Sequence, residues 1–215
     1  MRGARPAPVF AVVLVLAVVA AGVALWSWEN SLRGSGLEGG PDTGACVAPA
    51  GSQQQDVDPD DSPEAPWPHT AGQGVVVHFA VGGLPSRYAG LVEQAGTIWA
   101  RSPCLDPVVV NSCPAESNCS TIVTRERSQD DDTDGESDSD DRSGVRRSNT
   151  ITLYTALLDQ SSDNGALATI VHEMGHTFGL VHRNDPDSVM NADTDDSTDP
   201  VPDAIDFVNL AVIYG

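Results

Sequence analysis

The stretch of sequence that decides the fold runs from residue 172 to residue 182 and reads His172-Glu173-Met174-Gly175-His176-Thr177-Phe178-Gly179-Leu180-Val181-His182. Apolar residues recur at helical spacing through this stretch and just before it, at Leu167, Ile170, Val171, Met174 and Phe178. Good N-cap candidates, Ser162-Asp163-Asn164, come ahead of them. The pattern predicts a helix whose apolar stripe packs in the core.

The polar residues of this helix have the spacing of metal ligands. His172 and His176 lie four residues apart, so both imidazoles leave the same side of the helix. Two such nitrogens can bind one metal ion at about 2.0–2.1 Å. Gly179 lacks a Cβ and can end the helix sharply, which lets the chain turn back and bring in His182 as a third ligand. Glu173 is placed to reach a water in the open position of the metal.

Three neutral imidazoles and one water form an open tetrahedral site, which is typical of catalytic zinc. Zinc lowers the pKa of that water toward about 7. We predict that Glu173 takes its proton as general base while the water attacks a peptide carbonyl. Ordinary helix histidines are the alternative, but three histidines, one glutamate and one glycine rarely fall at these offsets by chance. The pattern therefore predicts an open, catalytic zinc site.

The pattern His172-Glu-x-x-His176-x-x-Gly179-x-x-His182 resembles the zinc signature of the metzincin metallopeptidases. This resemblance implies a zinc metalloendopeptidase, a hydrolase of protein or peptide substrates. Ser188-Val189-Met190 looks like their Met-containing turn, which implies that Met190 supports the site without binding the metal. The segment from His182 to Met190 is similar to the matrixin branch, the matrix-metalloproteinase-like peptidases. The chain's end is similar to the matrixin C-terminal helix at Asp203, Ile205, Leu210 and Tyr214-Gly215.

The resemblance covers roughly residues 74–215 and implies an α+β fold: a twisted mixed β-sheet with an active-site helix and a C-terminal helix. The periodicity is compatible with that fold, because it predicts a strand in residues 74–83, a helix in residues 86–101 and a strand in residues 150–154. Short β-branched runs at residues 108–110 and 121–124 predict further strands. Asn191-Ala192 replaces the Tyr-Pro that usually follows the methionine in matrixins, so the resemblance implies no particular substrate pocket.

The chain is strongly acidic, with a formal net charge of −20 at pH 7 and no lysine. This charge argues against nucleic acid and anionic membrane surfaces as partners. Residues 128–147 are interpreted as an acidic low-complexity insertion, which we expect to be mobile. Within it, Asp130-x-Asp132-x-Asp134-Gly135 with Asp141 at the twelfth position weakly matches a calcium-binding loop. A Ca2+ site is therefore a minor hypothesis beside the one catalytic Zn2+.

The N-terminus has the pattern of an export signal. Arg2 and Arg5 precede an uncharged run from residue 6 to residue 28, whose apolar centre is Val9–Leu25. This apolar centre has 17 residues. It lies on the border between the apolar core of a cleaved signal, about 7–15 residues, and a spanning helix of about 17–25 residues. We interpret residues 1–28 as a signal peptide or an uncleaved signal-anchor helix. The rest of the chain is predicted to be extracytoplasmic, membrane-anchored by one N-terminal helix or secreted.

Four cysteines fit an oxidising compartment and allow three disulfide pairings. Cys113–Cys119 would close a short loop, and Cys46–Cys104 would then tie the N-terminal arm to the domain. The family resemblance also makes Cys46 a candidate cysteine switch that blocks the zinc as a thiolate, although its flanking residues do not match that motif. Residues 29–73, rich in Gly, Pro, Gln, Ser and Asp, are predicted to be a disordered linker before the metallopeptidase domain at residues 74–215.

Two other functions stay open at this point. Acidic residues are concentrated in three runs, at residues 56–64, 130–141 and 193–206. The family resemblance also implies structural zinc and calcium loops before the active-site helix, and their ligands have no match in this sequence. Both features favour an anchored zinc-containing binding protein without peptidase activity. The intact Glu173 weighs against it, because a purely structural metal site needs no such base. The acidic tracts are also candidate calcium-responsive spacers. The sequence makes no prediction about the oligomeric state.

Overall fold

The computed structural model describes residues 45–61, 64–128 and 133–215. The predictions for residues 1–28 and for the first part of the 29–73 linker lie outside the described residues. In the described part, no helix is both long and apolar enough to cross a membrane. Five strands and four helices are described there, in this chain order: β1 Val75–Ala80, α1 Ser86–Trp99, β2 Leu105–Val110, β3 Cys119–Arg125, β4 Gly135–Arg142, β5 Val145–Tyr154, α2 Thr155–Leu158, α3 Asp163–Thr177 and α4 Ala204–Tyr214.

The strands form one mixed sheet in the order β2-β1-β3-β5-β4. Strands β2, β1, β3 and β5 are parallel, and β4 runs antiparallel to β5. β4 is therefore an edge strand within the described sheet. The β-branched runs at residues 75–77, 108–110 and 121–124 lie in β1, β2 and β3, as predicted, because such side chains fit a pleated surface. The predicted α+β fold class, with its mixed sheet, active-site helix and C-terminal helix, is confirmed.

The core lies where α1 and α3 pack against each other and against the sheet. The predicted apolar face of α1 is buried, and the indole Nε1 of Trp99 donates to the backbone oxygen of Val171 in α3 at 3.0 Å. The C-terminal helix α4 is joined to the end of α3 by Tyr214, whose hydroxyl donates to the oxygen of Phe178 at 2.8 Å. α1 thus holds the middle of α3, and α4 holds its C-terminal end.

The prediction of a mobile insertion at residues 128–147 is wrong for the part that the structure describes from Gly135 onward. Residues 135–142 form β4, and residues 145–147 begin β5. The strand is stable without an apolar pattern because its backbone pairs with β5 and its acidic side chains stay exposed. Asp141 pairs with Arg146 at 3.2 Å. Asp130 and Asp132 lie outside the described residues, so the calcium site stays a prediction.

The described part of the 29–73 segment packs on the domain and is not a disordered linker. Cys46 is buried and forms a disulfide with Cys104, and the side chain of Trp67 is buried. Cys113 and Cys119 form the second disulfide, so both pairs are the ones expected from the sequence. The cysteine-switch hypothesis is wrong, because an oxidised Cys46 has no thiolate to offer a metal. Composition does not reveal this packing, because the partners of Cys46 and Trp67 lie far along the chain, at Cys104 and at the backbone oxygen of Thr177.

Candidate metal centre

Helix α3 begins and ends as its sequence predicts. Ser162 caps its N-terminus, since the hydroxyl accepts from the amide of Gly165 at 3.1 Å. At the other end, Gly179 has a φ of +95°, a left-handed conformation that glycine adopts without strain. The amide of Gly179 donates to the oxygen of His176 at 2.9 Å, and the amide of Leu180 donates to that of Gly175 at 3.1 Å. This Schellman pair of bonds turns the chain back toward the helix.

The turn brings His182 to the two histidines of α3. The Nε2 atom of His176 lies 3.0 Å from that of His172 and 3.2 Å from that of His182. These three residues form the group of candidate metal ligands found in the described part of the chain. The structure thus brings together the ligand set predicted from the sequence.

The other ring nitrogens show why all three Nε2 atoms are free to bind a cation. Nδ1 of His172 lies 2.8 Å from the oxygen of Val189, and Nδ1 of His176 lies 2.9 Å from that of Leu180. Nδ1 of His182 lies 3.1 Å from Oδ2 of Asp61. An acceptor at each Nδ1 favours the tautomer that carries its proton there, as in metal sites whose histidines donate to a carbonyl or carboxylate. Three Nε2 lone pairs then converge on one point, which a cation would stabilise.

The protonation states of the histidines on α3 suit metal binding. Burial, followed by the nearby imidazole of His182, lowers the pKa of His176 to about 4. Burial and the adjacent His176 hold the pKa of His172 well below its ordinary value. Both rings are therefore neutral near pH 7, which is the form that binds a metal.

Glu173 lies beside the three histidines on the floor of the same cleft. Its side chain is buried, with 5% of the residue exposed. Burial, followed by the nearby carboxylates of Asp134, Glu136 and Asp138, raises the pKa of Glu173 from 4.5 to about 8. A carboxyl group whose pKa lies near neutral pH is suited to take up and release a proton. A cation bound beside it would lower that pKa again.

Met190 lies against the helix and is not among the candidate ligands. It is fully buried, and its sulfur packs so close to Gly175 that a Cβ there would overlap it. The preceding residue, Val189, provides the oxygen for His172. The turn therefore contacts α3 at its backbone and at one histidine, which is the supporting position that the family resemblance implied for Met190.

The centre opens into a cleft of about 760 Å3. One wall is the start of the edge strand β4, at Gly135, Glu136 and Ser137. Another is formed by the described residues between 45 and 73, here called the N-terminal segment, which line the cleft at Asp60 and Asp61. The cleft is lined by carboxylates and by no arginine of the described residues.

Arg146 is a supporting residue that the sequence analysis missed. It is 1% exposed, and its Nη1 donates to the backbone oxygens of His176, at 2.5 Å, and Thr177, at 2.9 Å. Its other nitrogens pair with Glu64 and with Asp141. A cation at a helix C-terminus is favoured by the helix dipole. No local pattern signals this role, because Arg146 comes from β5 and meets α3 only in the folded chain.

Asp61 and Arg183 were missed for the same reason. Asp61 accepts from the amide of His182 at 2.8 Å as well as lying beside its ring. Arg183 is buried and donates to Asp203 at 2.8 Å and to Asp206 at 3.0 Å, both at the N-terminus of α4. The third ligand is therefore held between the N-terminal segment and α4.

Comparisons with known proteins add little to this geometry. No protein-family model matches the chain, and no curated protein sequence matches it. Among solved structures, the chain is similar to the crystal structure of archaemetzincin from Methanopyrus kandleri, with 12% sequence identity and a TM-score of 0.47. The similarity covers 66% of this chain and 98% of that one. Nothing in these comparisons singles out the matrixin branch.

Proposed function

We propose that the chain is a zinc-dependent endopeptidase in which His172, His176 and His182 hold the metal and Glu173 is the general base. The observation that carries this proposal is the convergence of the three Nε2 atoms, at separations of 3.0 and 3.2 Å, beside Glu173 on the floor of an open cleft. A structural zinc site is closed by four protein ligands, whereas catalytic sites keep a position open for water or substrate.

The donor set fits zinc. Neutral imidazole nitrogens suit zinc and other borderline metals, whereas calcium and magnesium take oxygen ligands. When bound, a zinc ion would supply the Lewis acidity that activates a water molecule and polarises a carbonyl group.

The residues of the chain itself perform the remaining tasks. The carboxylate of Glu173 takes a proton from the attacking water and passes it to the leaving amine, for which a pKa near neutrality is suited. The backbone oxygens at Val189 and Leu180 fix the rings of His172 and His176. The start of β4 borders the cleft, and β4 is an edge strand of the described sheet, so an extended peptide can pair with its free backbone groups.

We also propose that this activity is exerted outside the cytoplasm. Two disulfides support this location, because disulfides persist in oxidising compartments. Anchoring by residues 1–28 stays a prediction.

The test uses the full chain in a non-ionic detergent, because of its apolar N-terminal run. Zinc content is measured per chain, and cleavage of a pool of denatured proteins is followed by mass spectrometry. Samples are the chain as purified, after chelation, and after chelation followed by zinc. Glu173→Gln is compared with Glu93→Gln, which makes the same change on the exposed surface of α1.

We expect cleavage that disappears with the chelator, returns with zinc, persists in Glu93→Gln and is lost in Glu173→Gln. Turnover near wild type in Glu173→Gln would refute the role of the base. One zinc per chain with no cleavage of any protein in the pool would favour the zinc-containing binding protein instead.

A further inference from the structure

The walls of the cleft are unusually acidic. Besides Glu173 on its floor, six carboxylate residues line it, from three separate segments of the chain: Asp60, Asp61, Glu64, Asp134, Glu136 and Asp193. The first three come from the N-terminal segment, Asp134 directly precedes β4, Glu136 lies at the start of β4, and Asp193 comes from the loop that follows Met190. Negative charge therefore surrounds the metal centre from several sides.

Most of this charge is not neutralised by the protein. The chain has no lysine, and within the described residues only Glu64 of the six pairs with an arginine, the buried Arg146. Asp61 lies beside His182, and Glu136 accepts from the hydroxyl of Tyr154 at 2.6 Å, a bond that keeps the carboxylate charge. Six carboxylates also outnumber the two charges of a bound zinc ion.

The acidic walls belong to a site built to receive a ligand. The floor carries three converging histidine nitrogens and the side chain of Glu173, whose residue is 5% exposed. The charge of the walls therefore acts on whatever occupies the cleft.

We propose that the cleft selects cationic peptides, with arginine or lysine side chains on either side of the bond to be cleaved. This inference rests on the proposed peptidase function and names its substrate class. A concave surface lined by one sign of charge focuses its field and raises the local concentration of oppositely charged ligands. The basic side chains of the substrate would meet carboxylates on β4 and on the loop after Met190, while its backbone lies across the metal centre.

The experiment uses three peptide pools with the same mixed apolar positions and with Arg, Gln or Glu at the flanking positions. Cleavage by the zinc-loaded full chain is measured by mass spectrometry. Binding is measured by fluorescence anisotropy on zinc-loaded Glu173→Gln, so that a pool can bind without being cleaved. Both are repeated with Glu136→Gln/Asp193→Asn, which removes two exposed charges from the cleft. The control Glu93→Gln/Asp106→Asn removes two exposed charges from α1 and β2.

We expect the Arg pool to be bound and cleaved better than the Glu pool by on the order of ten-fold or more at low ionic strength. The ratio of the cleavage rate of the Arg pool to that of the Gln pool, and the corresponding ratio of affinities, should fall several-fold in the cleft variant and stay unchanged in the control. It should also fall toward one near 1 M salt, where the screening length is about 3 Å.

The outcomes separate this inference from the proposed function. Cleavage of all three pools at equal rates would overturn the charge preference and leave the peptidase intact. Equal binding of the three pools, or an equal loss in the cleft and control variants, would overturn the preference as well. Absence of cleavage together with tighter binding of the Arg pool, weakened only in the cleft variant, would support the preference while refuting the peptidase.

Discussion

Replacing Arg146 with methionine should destabilise the chain and weaken its metal centre. Methionine keeps much of the length of the side chain but removes the charge and every donor. The change leaves Glu64 and Asp141 without their cation, and takes one donor each from the oxygens of His176 and Thr177. Because these oxygens end α3, the substitution acts directly where the helix turns toward its third ligand.

The expected loss follows from the exposure of the partners. Removing one member of a buried ion pair costs about 3–5 kcal/mol, because the other charge is left buried. The side chains of Glu64 and Asp141 are 27% and 28% exposed, so water reaches them once the arginine is gone. The oxygen of Thr177 also keeps the indole of Trp67 as a donor at 2.8 Å. We therefore expect the low end of the range, a loss of about 3 kcal/mol.

The assay is urea unfolding of the metal-free chain followed by tryptophan fluorescence, together with zinc affinity measured by competition with a chelator. Arg142→Met is the matched control, because Arg142 pairs with Asp140 on the surface and its side chain is 73% exposed. The control should show no measurable change. Arg146→Met should also lower zinc affinity by roughly ten-fold, the effect of losing a group that orients a ligand. Equal stabilities of Arg146→Met and Arg142→Met would refute the reasoning.

Three further predictions concern the centre itself. Glu173→Gln should stabilise the metal-free chain, and by more at pH 8 than at pH 5. The pKa of Glu173 is 4.5 in its ordinary state and about 8 in the folded chain, so between these values the carboxyl group ionises only on unfolding. The stability of the wild type therefore falls as the pH rises through this range, whereas that of the glutamine variant does not. A difference in urea midpoint between Glu173→Gln and the wild type that is no larger at pH 8 than at pH 5 would contradict this prediction. Asp61→Asn should weaken zinc binding by roughly ten-fold in chelator competition, because the carboxylate of Asp61 holds the ring of His182. An unchanged dissociation constant for zinc would show that Asp61 does not orient this ligand. Gly175→Ala should cost about 1–3 kcal/mol in urea unfolding, because its Cβ would overlap the sulfur of Met190, and a midpoint equal to wild type would exclude that tight packing.

The metal ligands could be predicted because their geometry is local. His172 and His176 lie on one helix, where a spacing of four residues determines their relative direction. His182 follows after a single glycine-mediated turn, and Gly179 adopts the left-handed conformation that its sequence position indicates. The whole set spans eleven residues, so no long-range packing had to be known in advance. The strands rich in valine and isoleucine were predictable for a similar reason, since their side-chain preferences are local.

The edge strand and the supporting charges could not be predicted in this way. β4 is made of Gly135-Glu-Ser-Asp-Ser-Asp-Asp-Arg142, a composition typical of a solvated loop. It is a strand because β5 offers it a backbone ladder, and that partner follows only after a tight turn at residues 143–144. Arg146 is separated from Glu64 by 82 residues and from His176 by 30. Contacts between residues so far apart in the sequence depend on the folded topology and leave no periodicity in the sequence.

The acidic run at residues 56–64 changes its meaning once these contacts are known. Taken from composition alone, it is a solvated stretch of a linker. In the structure, its carboxylates contact three cationic or titratable groups around the metal centre, in the pairs Asp56–Arg183, Asp61–His182 and Glu64–Arg146. The two arginines are buried and would be left without these counter-charges in a chain that began at residue 74. The disulfide of Cys46 fastens the same segment to the domain. The unit that supports the metal centre therefore reaches back at least to Cys46, and the first acidic run is part of its scaffold.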